Sequence, residues 1–184
     1  IRMFESVARQ HEDTLLLIAG EGPARQSLQK LAGRVGLGDR IHFIGYLDRS
    51  TELPEGYHAS DLFVFSSQTE TQGLVLLEAM AAGLPVVSVA SMGSLDVLVE
   101  GEGCLIAPPD PAGFAACVMS LLDDDARRQA LAARGTVYAR RWGSDVKAGD
   151  MLAFYRRTLG SGIVEEPGPD DGLESPVTAE TRND

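Results

Sequence analysis

The chain has 184 residues, of which 44% are hydrophobic and 23% charged, a composition typical of globular proteins with one well-buried domain. Its formal net charge is −11, and residues 161–184 contain seven acidic side chains but a single basic one, Arg182. This balance argues against a nucleic-acid partner, because binding to a phosphate backbone requires clustered positive charge.

The two cysteines give no sign of a redox or zinc site. Cys104 and Cys117 form neither a Cys-x-x-Cys pair nor spaced pairs of metal ligands, so we expect structural thiols in a reducing compartment, the cytoplasm. No signal-peptide pattern is present, and the longest apolar stretch, residues 73–90, is interrupted by a glutamate, a glycine and a proline. We therefore expect no membrane-spanning segment.

Apolar runs of strand length alternate with segments of helical period along the chain. Strands are predicted over residues 14–19, 41–44, 62–65, 86–89 and 104–106, where β-branched and aromatic residues concentrate. Helices are predicted over residues 1–11, 23–35, 74–82, 111–122, 126–140 and 145–159. Pro23 is expected at a first helical position, Gly36 just past a helix end, and Asp110 and Ser144 as N-caps.

Apolar strands joined by helices predict a parallel sheet covered on both faces. The expected fold class is therefore α/β, a doubly wound parallel sheet of the Rossmann-like kind. We assign residues 1–160 to this domain and residues 161–184 to an acidic disordered tail, since apolar residues in the tail are too sparse to offset the entropy of ordering. The chain opens inside an apparent helix and without an initiator methionine, which suggests a piece of a longer protein.

The most informative segment runs from Glu70 to Glu78, between a predicted strand and a predicted helix. Gly73 lets the backbone approach a ligand closely, and the amides of Gly73, Leu74 and Val75 would form the positive N-terminal end of the helix, a natural phosphate seat. Helical side chains tilt toward the N-terminus, so Glu78 would lean toward the same mouth. Because carboxylates repel phosphate but accept hydrogen bonds from hydroxyls, the pattern favours a nucleotide-sugar.

A plainer interpretation stays open for a bare pair of this kind. Two acidic residues eight positions apart are common by chance. Glu70 would then be a solvated loop residue, and Glu78 a charge in an early helical turn that the helix dipole stabilises. The surrounding strand, glycine turn, helix and Gly-x-Pro exit favour the ligand-binding interpretation.

The segment from Glu70 to Val87 resembles the Glu-x7-Glu signature of the retaining family 4 glycosyltransferases, which have the GT-B fold. Four further segments are similar to the donor-binding domain of that family in order and spacing: residues 16–23, 41–47, 59–67 and 101–106. The resemblance covers residues 1–159. It implies the C-terminal half of a GT-B fold that lacks its first strand and the N-terminal Rossmann domain.

The resemblance also implies roles for individual residues. Glu70 would contact the hexose and help to position it, and Glu78 would accept hydrogen bonds from the ribose. The amides at positions 73–75 would meet the diphosphate or hexose oxygens, and Tyr46 and Leu47 would line the base pocket. The family is as a rule metal-independent, so no cofactor is expected besides the donor, a UDP-hexose. Retention is expected by front-face attack, with the leaving phosphate taking the proton of the acceptor.

Two departures from the family pattern bear on function. Thr71 and Gln72 stand where many members have Gly-Phe, a variant that suggests a lipid acceptor and peripheral contact with the inner membrane face. The basic Arg and Lys pair that neutralises the donor diphosphate in the family would lie upstream of this chain, so the 184 residues alone are expected to be inactive. A nucleotide-sugar epimerase and a non-catalytic nucleotide-sugar-binding module remain as alternatives.

Overall fold

A computed structural model of the chain describes residues 1–159. The chain divides into two units, Ile1–Val146 and Lys147–Asp184. The elements, in chain order, are α1 (Arg2–Gln10), β1 (Leu16–Ala19), α2 (Arg25–Arg34), β2 (Ile41–Gly45), α3 (Glu52–His58), β3 (Phe63–Phe65), α4 (Leu74–Ala81), β4 (Val86–Ser88), α5 (Ser94–Val97), β5 (Cys104–Ile106), α6 (Pro111–Leu122), α7 (Asp125–Arg140) and α8 (Ser144–Leu159).

The fold class is α/β with parallel strands, as predicted. The ladder hydrogen bonds fall in two sheets, β1–β2 and β3–β4–β5, and every pairing is parallel. In the described residues no strand pairs with the second edge of β1 or of β3, so the predicted continuous sheet is interrupted between them.

Helices cover both faces of the three-stranded sheet. Successive residues of β4 point to opposite faces: Val87 belongs to a core cluster with Val7 of α1 and Phe114 of α6, whereas Val86 belongs to a second cluster with Met80 of α4. Both valines are fully buried. Because the side-chain period of a strand is two, this alternation is the doubly wound arrangement that the apolar runs predicted.

A close backbone contact fixes α7 against α4 and the strand β5. Gly135 lies so near Gly103 that a Cβ on Gly135 would come within 3.0 Å of the Cα of Gly103 and 3.5 Å of Met80. Small residues at both positions therefore allow α7 to pack directly on the core. The phenol of Tyr138, on the same helix, donates to the carbonyl of Val97 at 3.0 Å.

The structure corrects several predicted elements. Helix α2 begins at Arg25 and not at Pro23, because the amide of Arg25 closes a turn onto the carbonyl of Gly22 at 3.1 Å. Ser144 is the first residue of α8 and does not precede it as a cap. Two other predictions are confirmed: Asp110 caps α6 by accepting from the Gly113 amide at 2.8 Å, and Gly36 lies just past the end of α2, with a φ of +73°.

Two short helices were not predicted. The segment of α3 contains Pro54 and Gly56, both poor helix formers, but Pro54 occupies the third helical position, where its missing N–H has no intrahelical partner to lose. Helix α5 is a single turn, held by Ser94, whose buried hydroxyl accepts from the amide of Ser91 at 2.8 Å. A helix of four residues has no periodicity that a sequence pattern can reveal.

The predicted tail, residues 161–184, lies outside the described residues, so the assigned domain boundary stays a prediction. Helix α8 extends from the end of the first unit into the second, and none of its residues is buried. No helix within residues 1–159 is long and apolar enough to cross a membrane.

Candidate functional site

The loop between β3 and α4 is held by its own carboxylate. Oε1 of Glu70 accepts the backbone N–H of Gln72 at 3.0 Å and that of Gly73 at 2.9 Å. These hydrogen bonds to the charged form, first that from Gln72, lower the pKa of Glu70. Glu70 is therefore ionised at neutral pH and stabilises the turn that leads into α4.

Gly73 precedes α4 as its N-cap residue, in a conformation that few other residues tolerate. Its φ is +70°, in the left-handed region, and a Cβ there would come within 2.5 Å of Val97. The predicted phosphate seat is thus partly occupied, since the amide of Gly73 already donates to Glu70. Within residues 1–159 the amides of Leu74 and Val75 donate to no residue outside the helix, and the side chain of Leu74 is exposed.

A second loop, between β4 and α5, packs against the first. The amide of Gly93 donates to the carbonyl of Glu70 at 2.9 Å, and the hydroxyl of Ser91 donates to the carbonyl of Gln68 at 3.1 Å. Between Ser91 and Gly93 lies Met92, the one non-glycine residue with a positive φ, +49°, in the described part of the chain. Strained backbone of this kind persists where the surrounding structure fixes it, so the two loops form one preorganised edge.

Glu78 lies one turn into α4 and has two partners from elsewhere in the chain. Its Oε1 accepts a hydrogen bond from the guanidinium of Arg49, and its Oε2 accepts one from the phenol of Tyr57 at 3.4 Å. Burial and the charge of Glu78 raise the pKa of Tyr57 to about 12. The phenol therefore stays protonated and keeps its role as a donor.

The Glu78 carboxylate lines an open cavity of about 290 Å³ beside α3 and α4. Apart from the carboxylate, the phenol and one guanidinium, its walls are apolar. The lining residues are Arg49, Leu53, Pro54, Tyr57, Glu78, Ala81 and Ala82. A larger depression of about 380 Å³ lies along β2 and contains none of the predicted site residues. We take the smaller cavity as the candidate site because polar groups converge there.

The loop after β2, the predicted base pocket, reaches the same region. Tyr46 is 78% exposed, whereas Leu47 lies against Gly56 of α3, the helix that carries Tyr57. Next along the chain, Oδ1 of Asp48 accepts the amides of Ser50 and Thr51 at 2.9 and 3.0 Å. This turn holds Arg49 above the cavity, and its hydrogen bonds, those from the Ser50 and Thr51 hydroxyls first, lower the pKa of Asp48.

The predicted site residues thus fall into two groups with different partners. Glu70 and Gly73 bond to each other, while Glu78 bonds to Arg49 and Tyr57. Arg49 and Tyr57 are functional candidates that the sequence did not reveal. Neither stands at a recognisable spacing from Glu78, and the helix that carries Tyr57 was not predicted.

Residues 1–159 contain no group of three or more His, Cys, Asp or Glu side chains placed to hold a metal ion.

Residues 1–137 match the protein family described as Glycosyl transferases group 1. The chain belongs to this family. A D-inositol 3-phosphate glycosyltransferase from Thermomonospora curvata is 39% identical over 139 residues, which are 74% of this chain and 32% of the relative. The chain therefore spans about a third of the length of the relative.

Solved structures agree with the family assignment of this glycosyltransferase domain. The sucrose-phosphate synthase from Thermosynechococcus elongatus is 28% identical with a TM-score of 0.75, and the match covers 86% of this chain and 42% of that one. Anabaena HepE, solved in complex with UDP, has a TM-score of 0.74 at 21% identity over 86% of this chain and 44% of that one. The architecture is that of GT-B glycosyltransferases, of which this domain forms a part.

Proposed function

We propose that this domain is the donor-binding half of a retaining family 4 glycosyltransferase that moves a hexose from a UDP-type donor to an acceptor. The observation that carries the proposal is the position of Glu78. Glu78 lines a cavity with Arg49 and Tyr57, and it stands one turn after Leu74 and Val75, whose amides open α4. A ligand that meets both must extend from this cavity along α4 to its N-terminus. A nucleotide-sugar has hydroxyls for the carboxylate and phosphates for the helix amides.

Each predicted residue has a distinct role in this proposal. Glu78 accepts from the ribose hydroxyls, and the amides of Leu74 and Val75, together with that of Gly73, meet the diphosphate. Glu70 uses Oε1 to hold its own loop, which leaves Oε2 to accept from a hexose hydroxyl. Transfer proceeds on the face of the sugar from which the diphosphate leaves, and a donor oxygen takes the proton of the acceptor.

The proposed donor is a UDP-sugar. HepE, which shares the fold, is solved with UDP. In the proposal the base lies against Tyr46 and Leu47, on the loop that leads to Arg49, a residue of the cavity wall. Metal and further cofactors have no role in the proposed reaction. The family match favours a transferase over an epimerase or a purely binding module.

The acceptor in this proposal is a lipid. The relatives named above differ in the products that their names imply, so a lipid acceptor rests only on Thr71 and Gln72. Peripheral contact with the inner membrane face and a cytoplasmic location are parts of the same proposal. The free, buried thiol of Cys104 supports a reducing compartment.

The proposal predicts that the 184 residues alone do not catalyse transfer, because the acceptor site would lie on a preceding domain and the basic pair on a segment just upstream of residue 1. The test is an assay of UDP release and hexose transfer with the chain alone and with a longer protein that contains it. Activity is expected only in the longer protein, with loss on Glu70→Ala. An NMR assignment of the product anomer tests retention, and an inverted anomer would contradict it.

A further inference from the structure

The two partners of Glu78 differ in how firmly they are held. Tyr57 is only 7% exposed, and its ring packs edge-on against Phe63 with 5.8 Å between centroids. Arg49 extends from a surface turn, and its side chain is 77% exposed. A ligand can therefore take the place of the exposed donor without loss of core packing, whereas it cannot replace the buried one.

We propose that Tyr57 is a positioning residue for the ribose end of the donor: it holds Oε2 of Glu78, so that Oε1 meets the ribose hydroxyls in the place that Arg49 occupies in the free chain. This inference rests on the proposed function. It adds to that function Tyr57, which donates to the Glu78 carboxylate, and Arg49, the counterion that the ribose must replace.

The chemistry of the three groups supports this division of roles. A carboxylate can accept hydrogen bonds on both oxygens, so a phenol on Oε2 leaves Oε1 available. Exposed ion pairs between a long side chain and a carboxylate contribute little, because water competes for both charges. The Arg49 contact is therefore weak enough for a ribose to displace, whereas the buried phenol restricts the orientation of the carboxylate in both states.

The chain contains a matched control for the Tyr57 hydroxyl. Tyr138 has the same 7% exposure, belongs to the same core cluster and donates its hydroxyl to the carbonyl of Val97. It lines no part of the Glu78 cavity. Tyr57→Phe and Tyr138→Phe therefore remove the same atom from equally buried rings, and only the first removes it from the site.

The test measures affinities of the 184-residue chain for UDP and 2′-deoxy-UDP, since the deoxy compound lacks one hydroxyl that Glu78 would bind. The wild type is expected to bind UDP about tenfold or more tightly than 2′-deoxy-UDP, because a hydrogen bond from a hydroxyl to a charged carboxylate contributes about that factor. Glu78→Gln is expected to weaken this preference most. Tyr57→Phe is expected to reduce it about threefold, because the carboxylate loses its orientation, and Tyr138→Phe is expected to leave it unchanged.

The outcomes separate the inference from the proposed function. A wild type that binds no UDP, or a Glu78→Gln chain with wild-type preference, contradicts the proposed function and the inference with it. If both behave as proposed and Tyr57→Phe keeps the wild-type preference, only the inference is overturned. Equal loss of UDP and 2′-deoxy-UDP affinity in Tyr57→Phe also overturns it, since a merely structural role would weaken both ligands alike.

A second variant does not depend on the folding of Tyr57→Phe. Arg49→Met removes the competing cation from an exposed side chain, and uridine, which has no phosphate, serves as the probe. Its affinity, measured by NMR titration, is expected to rise about twofold to fivefold, in line with the strength of exposed ion pairs. Unchanged or weaker uridine binding would overturn the proposed exchange.

Discussion

Oε1 of Glu70 lies 2.9 Å from the backbone nitrogen of Gly73 and accepts its N–H. The first glutamate of the motif thus caps the helix that carries the second. Gly73 is the N-cap residue of α4, and Glu78 lies one turn further along the same helix. The capping contact therefore links the hexose end and the ribose end of the proposed site.

We expect Glu70→Ala to lower the melting temperature of the chain, because the Gln72 and Gly73 amides lose their acceptor. Glu70→Gln should cost less, since an amide oxygen can still accept. The pKa of Glu70 is lowered in the folded chain, so its contribution is present above the unfolded pKa and disappears as the pH falls through the folded one. Melting temperatures should therefore converge at acidic pH. Glu12→Ala, an exposed glutamate, is the control, and an equal effect there would contradict the capping role.

Gly73→Ala should destabilise the chain more than Gly101→Ala. Both glycines have a positive φ, +70° and +84°, which costs an alanine about 1–2 kcal/mol. A Cβ at Gly101 meets nothing within 4 Å, whereas one at Gly73 meets Val97 at 2.5 Å. Forcing a methyl into packed surroundings adds about 1–3 kcal/mol. Urea unfolding of both variants measures the difference, and equal losses would show that the loop relaxes freely.

The phenol of Tyr57 should ionise near pH 12 in the native chain. Because its pKa is raised, its contribution to stability is present below the ordinary tyrosine pKa of about 10 and is lost as the pH rises toward 12. Glu78→Gln should lower the pKa by removing the neighbouring charge. Tyrosinate absorbance, with Tyr57→Phe to assign the signal, follows the titration. No difference between wild type and Glu78→Gln would contradict the contact.

Cys104 should resist thiol reagents in the native chain. Its side chain is fully buried, and burial, followed by the charge of Glu100, raises its pKa to about 12. The thiolate is the reactive form, so a colorimetric disulfide reagent should modify Cys104 only on unfolding. Cys117, whose pKa is also raised by burial but which is only partly buried, should react first. The Cys→Ser variants assign the two phases, and rapid native modification of Cys104 would refute this.

The parts of the fold that the sequence predicted are those determined by local pattern. β4 follows a Gly-x-Pro turn and begins with two valines, and α6 has both Asp110 as a cap and Pro111 at its first position. Such signals act within a few residues, so they determine the local structure without help from tertiary contacts. Helix α3 has no such signal, since it contains Pro54 and Gly56 and forms because Tyr57 enters the core.

The candidate site was predictable only in part for the same reason. Glu70, Gly73 and Glu78 stand in one segment, so their spacing could be interpreted. Arg49 and Tyr57 are 29 and 21 positions from Glu78, and only the folded chain brings the guanidinium, on the turn before α3, and the phenol, on α3, to the carboxylate. The capping role of Glu70 was also missed, because a loop glutamate can face its own backbone or a ligand with the same sequence.

The most direct test of the proposed function is calorimetric titration of UDP into the 184-residue chain, its Glu78→Gln variant and its Glu70→Ala variant. Weak UDP binding is expected in the wild type. Glu78→Gln should weaken it about tenfold, because the ribose loses a charged acceptor, while Glu70→Ala should change it little, since UDP has no hexose. Equal loss in both variants, or no loss in either, would contradict the assignment of Glu78 to the ribose.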